Sequence, residues 1–98
     1  MIDLEKVFAR NENVVFRQVA DELILVPVRQ KVADLKCIYT LNEVGAFVWN
    51  HLDSKRTLAD IVFLLVSSFD VSLAAAQEEA RAFIRQLESK KLVEEIRI

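Results

Sequence analysis

The sequence predicts an α+β fold of the winged helix-turn-helix-like kind, in which a three-stranded antiparallel sheet is followed by three α-helices. Three observations carry this expectation. Apolar residues in the first 40 positions fall in short runs rich in β-branched and aromatic side chains. From about residue 41 they recur at a helical spacing instead. The chain has 98 residues, 53% of them hydrophobic, with one Gly and one Pro, which suits a single domain over 1–98 with no flexible linker.

Taken in order, Val14, Val15, Phe16 and Val19 form the first predicted strand, residues 23–28 the second and residues 37–40 the third. Ala20-Asp21-Glu22 is a polar break suited to a hairpin, and residues 29–36 make a longer connection. Pro27 cannot donate to a ladder, so it belongs at the end of its strand. Leu41, Val44, Val48 and Leu52 then mark the first helix, with Asn42 as N-cap and Glu43 in its first turn. Residues 53–56 read as a polar turn. Thr57 and Asp60 form a capping-box pattern that opens the second helix, which is apolar on nearly all sides and therefore expected at the centre or at an interface. Ser72 caps the third helix, whose buried stripe is predicted as Leu73, Ala76, Ala80, Phe83, Ile84 and Leu87. The tail 92–98 is short enough to add one more strand.

Charge and length exclude whole classes of function. Thirteen Lys and Arg against 15 Asp and Glu give a net charge of −2, the wrong sign for a domain held mainly by phosphate contacts, so no nucleic acid is expected. The longest strongly apolar stretch, 61–66, falls far short of the roughly 20 residues needed to cross a bilayer, and the N-terminus lacks the basic start and apolar core of a signal peptide. No membrane association and a cytoplasmic location are therefore expected. A lone Cys37 rules out an internal disulfide.

The chemical inventory is too thin for catalysis. With one His, one Cys and no glycine-rich loop, neither nucleotide fingerprints nor histidine-rich metal motifs can be written on this chain, so no enzyme activity, cofactor or metal is expected. Cys37 and His51 would make a reactive pair only if the fold brought them together. Trp49 is assigned to the core because a small domain needs its large buried area. On the third helix, Gln77, Arg81, Arg85 and Glu88 form a polar ridge beside the buried stripe, with Glu78 and Glu88 spaced to pair with the arginines. The third strand is the other candidate site. It lies at a sheet edge and carries no Pro or charge between Cys37 and Thr40, so its unpaired backbone groups could template another extended chain. The residues alone leave two readings open: a visiting peptide, or the chain's own tail or a second copy.

The segment Ile38-Tyr39-Thr40-Leu41-Asn42-Glu43-Val44-Gly45-Ala46-Phe47-Val48-Trp49, with Leu52-Asp53-Ser54-Lys55-Arg56-Thr57, Phe69-Asp70-Val71 and Phe83-Ile84-Arg85-Gln86-Leu87 after it, resembles the PqqD family, the pyrroloquinoline quinone biosynthesis protein D group. The leading part is similar to that family's Leu-Asn-x-Thr/Val-Gly-Ala-x-x-Trp signature. Two turns depart from it: Ser54 stands where the family often has Gly, and Phe69-Asp70-Val71 replaces a Tyr-Gly-Val-like turn. The resemblance implies a non-catalytic peptide chaperone. Such a domain binds the leader region of a ribosomally synthesised precursor peptide by β-strand addition and presents it to a modifying enzyme of the radical S-adenosylmethionine type, in quinone or related peptide-natural-product biosynthesis.

Carried onto this chain, the resemblance implies a peptide site made by Lys36, Cys37, Ile38, Tyr39 and Thr40 on the third strand. Gln77, Ala80, Arg81, Ile84 and Arg85 would form the facing wall on the third helix. Ordering an extended guest costs free energy, so the expected affinity is micromolar, about 8 kcal/mol. The alternative readings are a winged-helix nucleic-acid binder acting through Arg81 and Arg85, and a structural homodimer whose second copy fills the strand edge.

Overall fold

In the computed structural model the described residues are 4–27 and 38–96. They form β1 (Val7–Arg10), β2 (Val14–Val19), β3 (Glu22–Pro27), β4 (Tyr39–Leu41), α1 (Glu43–Asn50), β5 (Asp53–Thr57), α2 (Leu58–Ser68), α3 (Leu73–Ser89) and β6 (Val93–Ile96). The meander predicted from the β-branched runs is present as an antiparallel sheet in the order β2-β3-β4. Its register pairs Phe16 with Leu25 and Leu25 with Tyr39, then Gln18 with Leu23 and Leu23 with Leu41. Because side chains alternate across a strand, Leu23, Leu25 and Leu41 share one face, and all three are buried. Pro27 ends β3, where its missing N–H is harmless.

The third strand lies at Tyr39–Leu41 instead of residues 37–40. The boundary moves because Asn42 caps α1, its side chain accepting the Gly45 N–H at 2.9 Å, so Leu41 is the last extended residue and pairs with Leu23. Lys36, Cys37, Val28 and the 29–36 connection lie outside the described residues, and with them the Cys37–His51 pairing.

A second sheet, β5-β1-β6, was not anticipated in this form. The polar turn expected at 53–56 is strand β5, paired with β1 through Val7–Thr57 and Ala9–Asp53 with a bulge between. Nothing in Asp-Ser-Lys-Arg favours a strand, and cross-strand pairing overrides that local preference. Ser54 takes up the bulge at φ 67, and Asp53 Oδ1 accepts the N–H groups of Lys55 and Arg56 at 3.0 and 2.8 Å. The tail does add a strand, but β6 pairs with β1, from Val7–Ile96 to Arg10–Val93. Asn11 secures that end by donating its N–H to Leu92 O.

Helix starts follow the sequence closely. Thr57 and Asp60 form a reciprocal capping box, and Ser72 accepts the Ala75 N–H. Leu58, Ile61, Val62 and Leu65 of α2 pack with Ala76, Ala80, Ile84 and Leu87 of α3 in one core, which also encloses Trp49 and Phe8. Two expectations change. Phe63 is 70% exposed, so α2 has an outer side, and Leu73, at the start of α3, is 56% exposed outside the buried stripe.

Two predictions follow from β5. Ser54 holds a left-handed conformation that an L side chain disfavours and Gly tolerates, so Ser54→Gly should raise the unfolding free energy in urea by up to about 1 kcal/mol, while Ser54→Val should lower it. The backbone N–H of Arg56, then that of Lys55, holds the Asp53 carboxyl below its ordinary value of 3.8. A depressed folded-state value means that its stabilising contribution is complete above the unfolded-state value and is lost as pH falls through the folded one. Acid titration of stability should therefore be shallower below pH 4 in Asp53→Asn than in the parent chain.

Candidate functional site

The edges of the β2-β3-β4 sheet can be worked out bond by bond. Val14 donates its N–H to Asn11 O at 3.2 Å, so it does not bond across to its partner Pro27. Antiparallel pairs alternate between bonded and non-bonded, so Val15, Arg17 and Val19 exchange bonds with Val26, Ile24 and Glu22. The intervening Leu23 and Leu25 turn their amides the other way, to Leu41 and Tyr39 of β4. Thr40, opposite Ile24, is therefore a non-bonded pair and directs its N–H and C=O away from β3. No described strand lies on that side.

Beside this edge runs a groove of about 390 Å³. Thr40, Leu41 and Asn42 form its first side and Val44, Gly45 and Val48 of α1 its floor. The facing wall is α3, through Glu79, Ala80, Ala82, Phe83 and Gln86. A Cβ on Gly45 would sit in ordinary contact with Leu41 Cβ, Asn42 Oδ1 and Phe83 Cε1, each at 3.4 Å. Further along, Lys90 Nζ stands 5.3 Å over the Tyr39 ring, so α3 runs antiparallel to β4 with its C-terminal end beside Tyr39.

The residues expected to bind are distributed unevenly around this groove. Thr40 and Ala80 line it. Ile38 is 65% exposed just before β4, and Tyr39 is half-buried within it. Lys36 and Cys37 lie outside the described residues. Ile84 is fully buried in the core. Gln77, Arg81 and Arg85 are absent from the groove lining, which takes Glu79, Ala82, Phe83 and Gln86 in their place. The reason is helical geometry. A buried stripe on a helix has two flanks, and at about 100° per residue these two sets lie on opposite ones. Only the position of β4 decides which flank borders a cleft. Asn42 and Gly45 were visible in the Leu-Asn-x-x-Gly pattern, but that pattern signals a helix start before it signals a groove floor.

Trp49 is fully buried as expected, edge-on to Phe16 with ring centroids 5.7 Å apart, and Arg10 lies over both rings. His51 is the C-cap of α1, with Nδ1 2.7 Å from Phe47 O and its ring against Phe47. Neither lines the groove.

The family model described as Coenzyme PQQ synthesis protein D (PqqD) matches residues 22–93, about three quarters of the chain. A solved structure described as TbiB1 in complex with the TbiA(beta) leader peptide superimposes with a TM-score of 0.74 at 24% identity, over 88% of this chain and 94% of that one. No curated protein matches.

Gly45→Ala should leave the fold intact. The added methyl makes ordinary contacts, and alanine is the better helix former by about 1 kcal/mol, so unfolding in urea should show equal or slightly higher stability.

Proposed function

We propose, from the premise that this chain belongs to the PqqD family, that it is a non-catalytic recognition element which binds the leader segment of a ribosomally synthesised precursor peptide. The observation that carries this reading is the unblunted edge of β4 beside an apolar groove. An extended guest would add a strand there, with Thr40 supplying one donor and one acceptor and Ile38, two residues earlier, the next outward-facing pair. Main-chain bonds would give affinity that tolerates sequence variation. Alternate guest side chains, on the same face as Tyr39 and Leu41, would point between β4 and α3 onto Val44, Gly45, Val48 and Phe83, where burial of apolar surface supplies selectivity.

On this reading the peptide-binding residues are Ile38, Tyr39, Thr40 and Ala80 from the original expectation, joined by Leu41, Gly45, Glu79, Ala82, Phe83 and Gln86. The bound leader leaves the rest of the precursor free for a separate modifying enzyme, and a radical S-adenosylmethionine enzyme is the partner to test first, in quinone or related peptide-natural-product maturation. The neighbouring fold solved with a leader peptide supports the peptide partner by analogy. A tail-sealed edge is not available as a competing account, because β6 pairs with β1. The net charge of −2 gives no support to a nucleic-acid partner.

Titration with the leader of the cognate precursor, followed by amide NMR, should move Ile38, Thr40, the first turn of α1 and the Glu79–Gln86 flank. Thr40→Pro removes the outward donor without touching the bonds to β3 and should weaken binding about tenfold. Phe83→Ala should weaken it by a similar factor through lost apolar contact. Shifts confined to α2, or to the Gln77–Arg85 flank, would sink the proposal.

A further inference from the structure

The wall that α3 presents to β4 is electrically asymmetric. Among the described residues that line the groove, Glu79 is the single ionisable one. Its helical neighbours at i±3 and i±4 are Ala75, Ala76, Ala82 and Phe83, so no cation on its own helix neutralises it. At the other end of the same flank Lys90 stands over Tyr39. The arginines of α3 lie on the opposite flank, away from the groove. Lys90 follows Glu79 by eleven positions, about 16 Å along a helix at 1.5 Å per residue. An extended chain covers that distance in about five residues.

Resting on the leader-binding reading, we propose that Glu79 and Lys90 select the guest by charge order: a basic side chain beside Glu79 and an acidic one beside Lys90, about five residues apart. Both pairings within the sheet are antiparallel. A guest that continues this mode runs opposite to β4, so its N-terminal side lies by Leu41 and Glu79 and its C-terminal side by Tyr39 and Lys90. The basic residue therefore comes first in the leader sequence. The apolar floor between the two charges sets how deeply the guest sits. The charges set its direction and register, since a reversed strand would bring like charges together and a slipped one would draw both opposite pairs apart.

The test is a selection of randomised 12-residue peptides against the whole chain at low salt. Recovered binders should carry Lys or Arg four to six residues ahead of Asp or Glu more often than the reverse. The double variant Glu79→Lys/Lys90→Glu should bind such a peptide about three- to tenfold more weakly and should select the opposite order, and 1 M salt should close the gap. Arg85→Ala, on the far flank, should change neither. Binders without a charge order, or an order that survives the double reversal, overturn the charge rule and leave the leader reading standing. A selection that yields no binders overturns both.

Discussion

The site depends on how β3 is held. Leu23 and Leu25 are buried against α1, where Val48 and Trp49 are equally inaccessible, so β3 cannot shift register without turning its leucines to solvent. That constraint passes to β4 through three cross-strand pairs and aligns Leu41 with Leu23. Once Leu41 points inward, Thr40 must point outward and its amide must face the free edge. The same packing sets Gly45 under the groove, because Asn42 caps α1 immediately after the strand ends. A single burial requirement thus orients both the main-chain donors and the apolar floor.

The chain treats its sheet edges unequally. The β5 edge is a charged, bulged strand, Asp53–Thr57, of the kind that resists further pairing. β6, formed by the acidic tail, closes on β1 and adds Lys6–Glu95 as an ion pair at 3.0 Å. Among the described residues, no strand, bulge or charged side chain protects the β4 edge. A strand that was only structural would gain from a bulge or a charge at that position, so its plain edge is consistent with a partner that arrives as an extended chain. Val15, Phe16 and Val19 of β2 are partly exposed, at 55%, 41% and 48%, interleaved with the exposed Arg17 and Gln18.

Much of this was legible in the residues. The caps Asn42, Thr57 and Ser72 are local signals, satisfied within three residues of themselves, and they predicted every helix start. The β-branched runs predicted β2 and β3, and the period change near residue 41 separated sheet from helices. β5 was not legible, because Asp-Ser-Lys-Arg becomes a strand only by pairing with a segment more than 40 residues away. The destination of the tail was hidden for the same reason: β6 had the composition of a strand but nothing that named β1 as its partner.

By itself the sequence determined the order of the β2-β3-β4 meander and the three helices, the helix caps, the Ala76, Ala80, Ile84 and Leu87 part of the α3 stripe and a third strand with no Pro or charge, because each of these depends on neighbours a few positions away. Only the tertiary structure decided that α3 turns its Glu79–Phe83–Gln86 flank to β4 and its Gln77–Arg81–Arg85 flank elsewhere. The stripe Ala76, Ala80, Ile84 and Leu87 is compatible with either rotation as seen from the groove. The choice comes from how α2 and α3 pack together and where α1 then carries β4, a long-range steric arrangement that has no signature in local spacing.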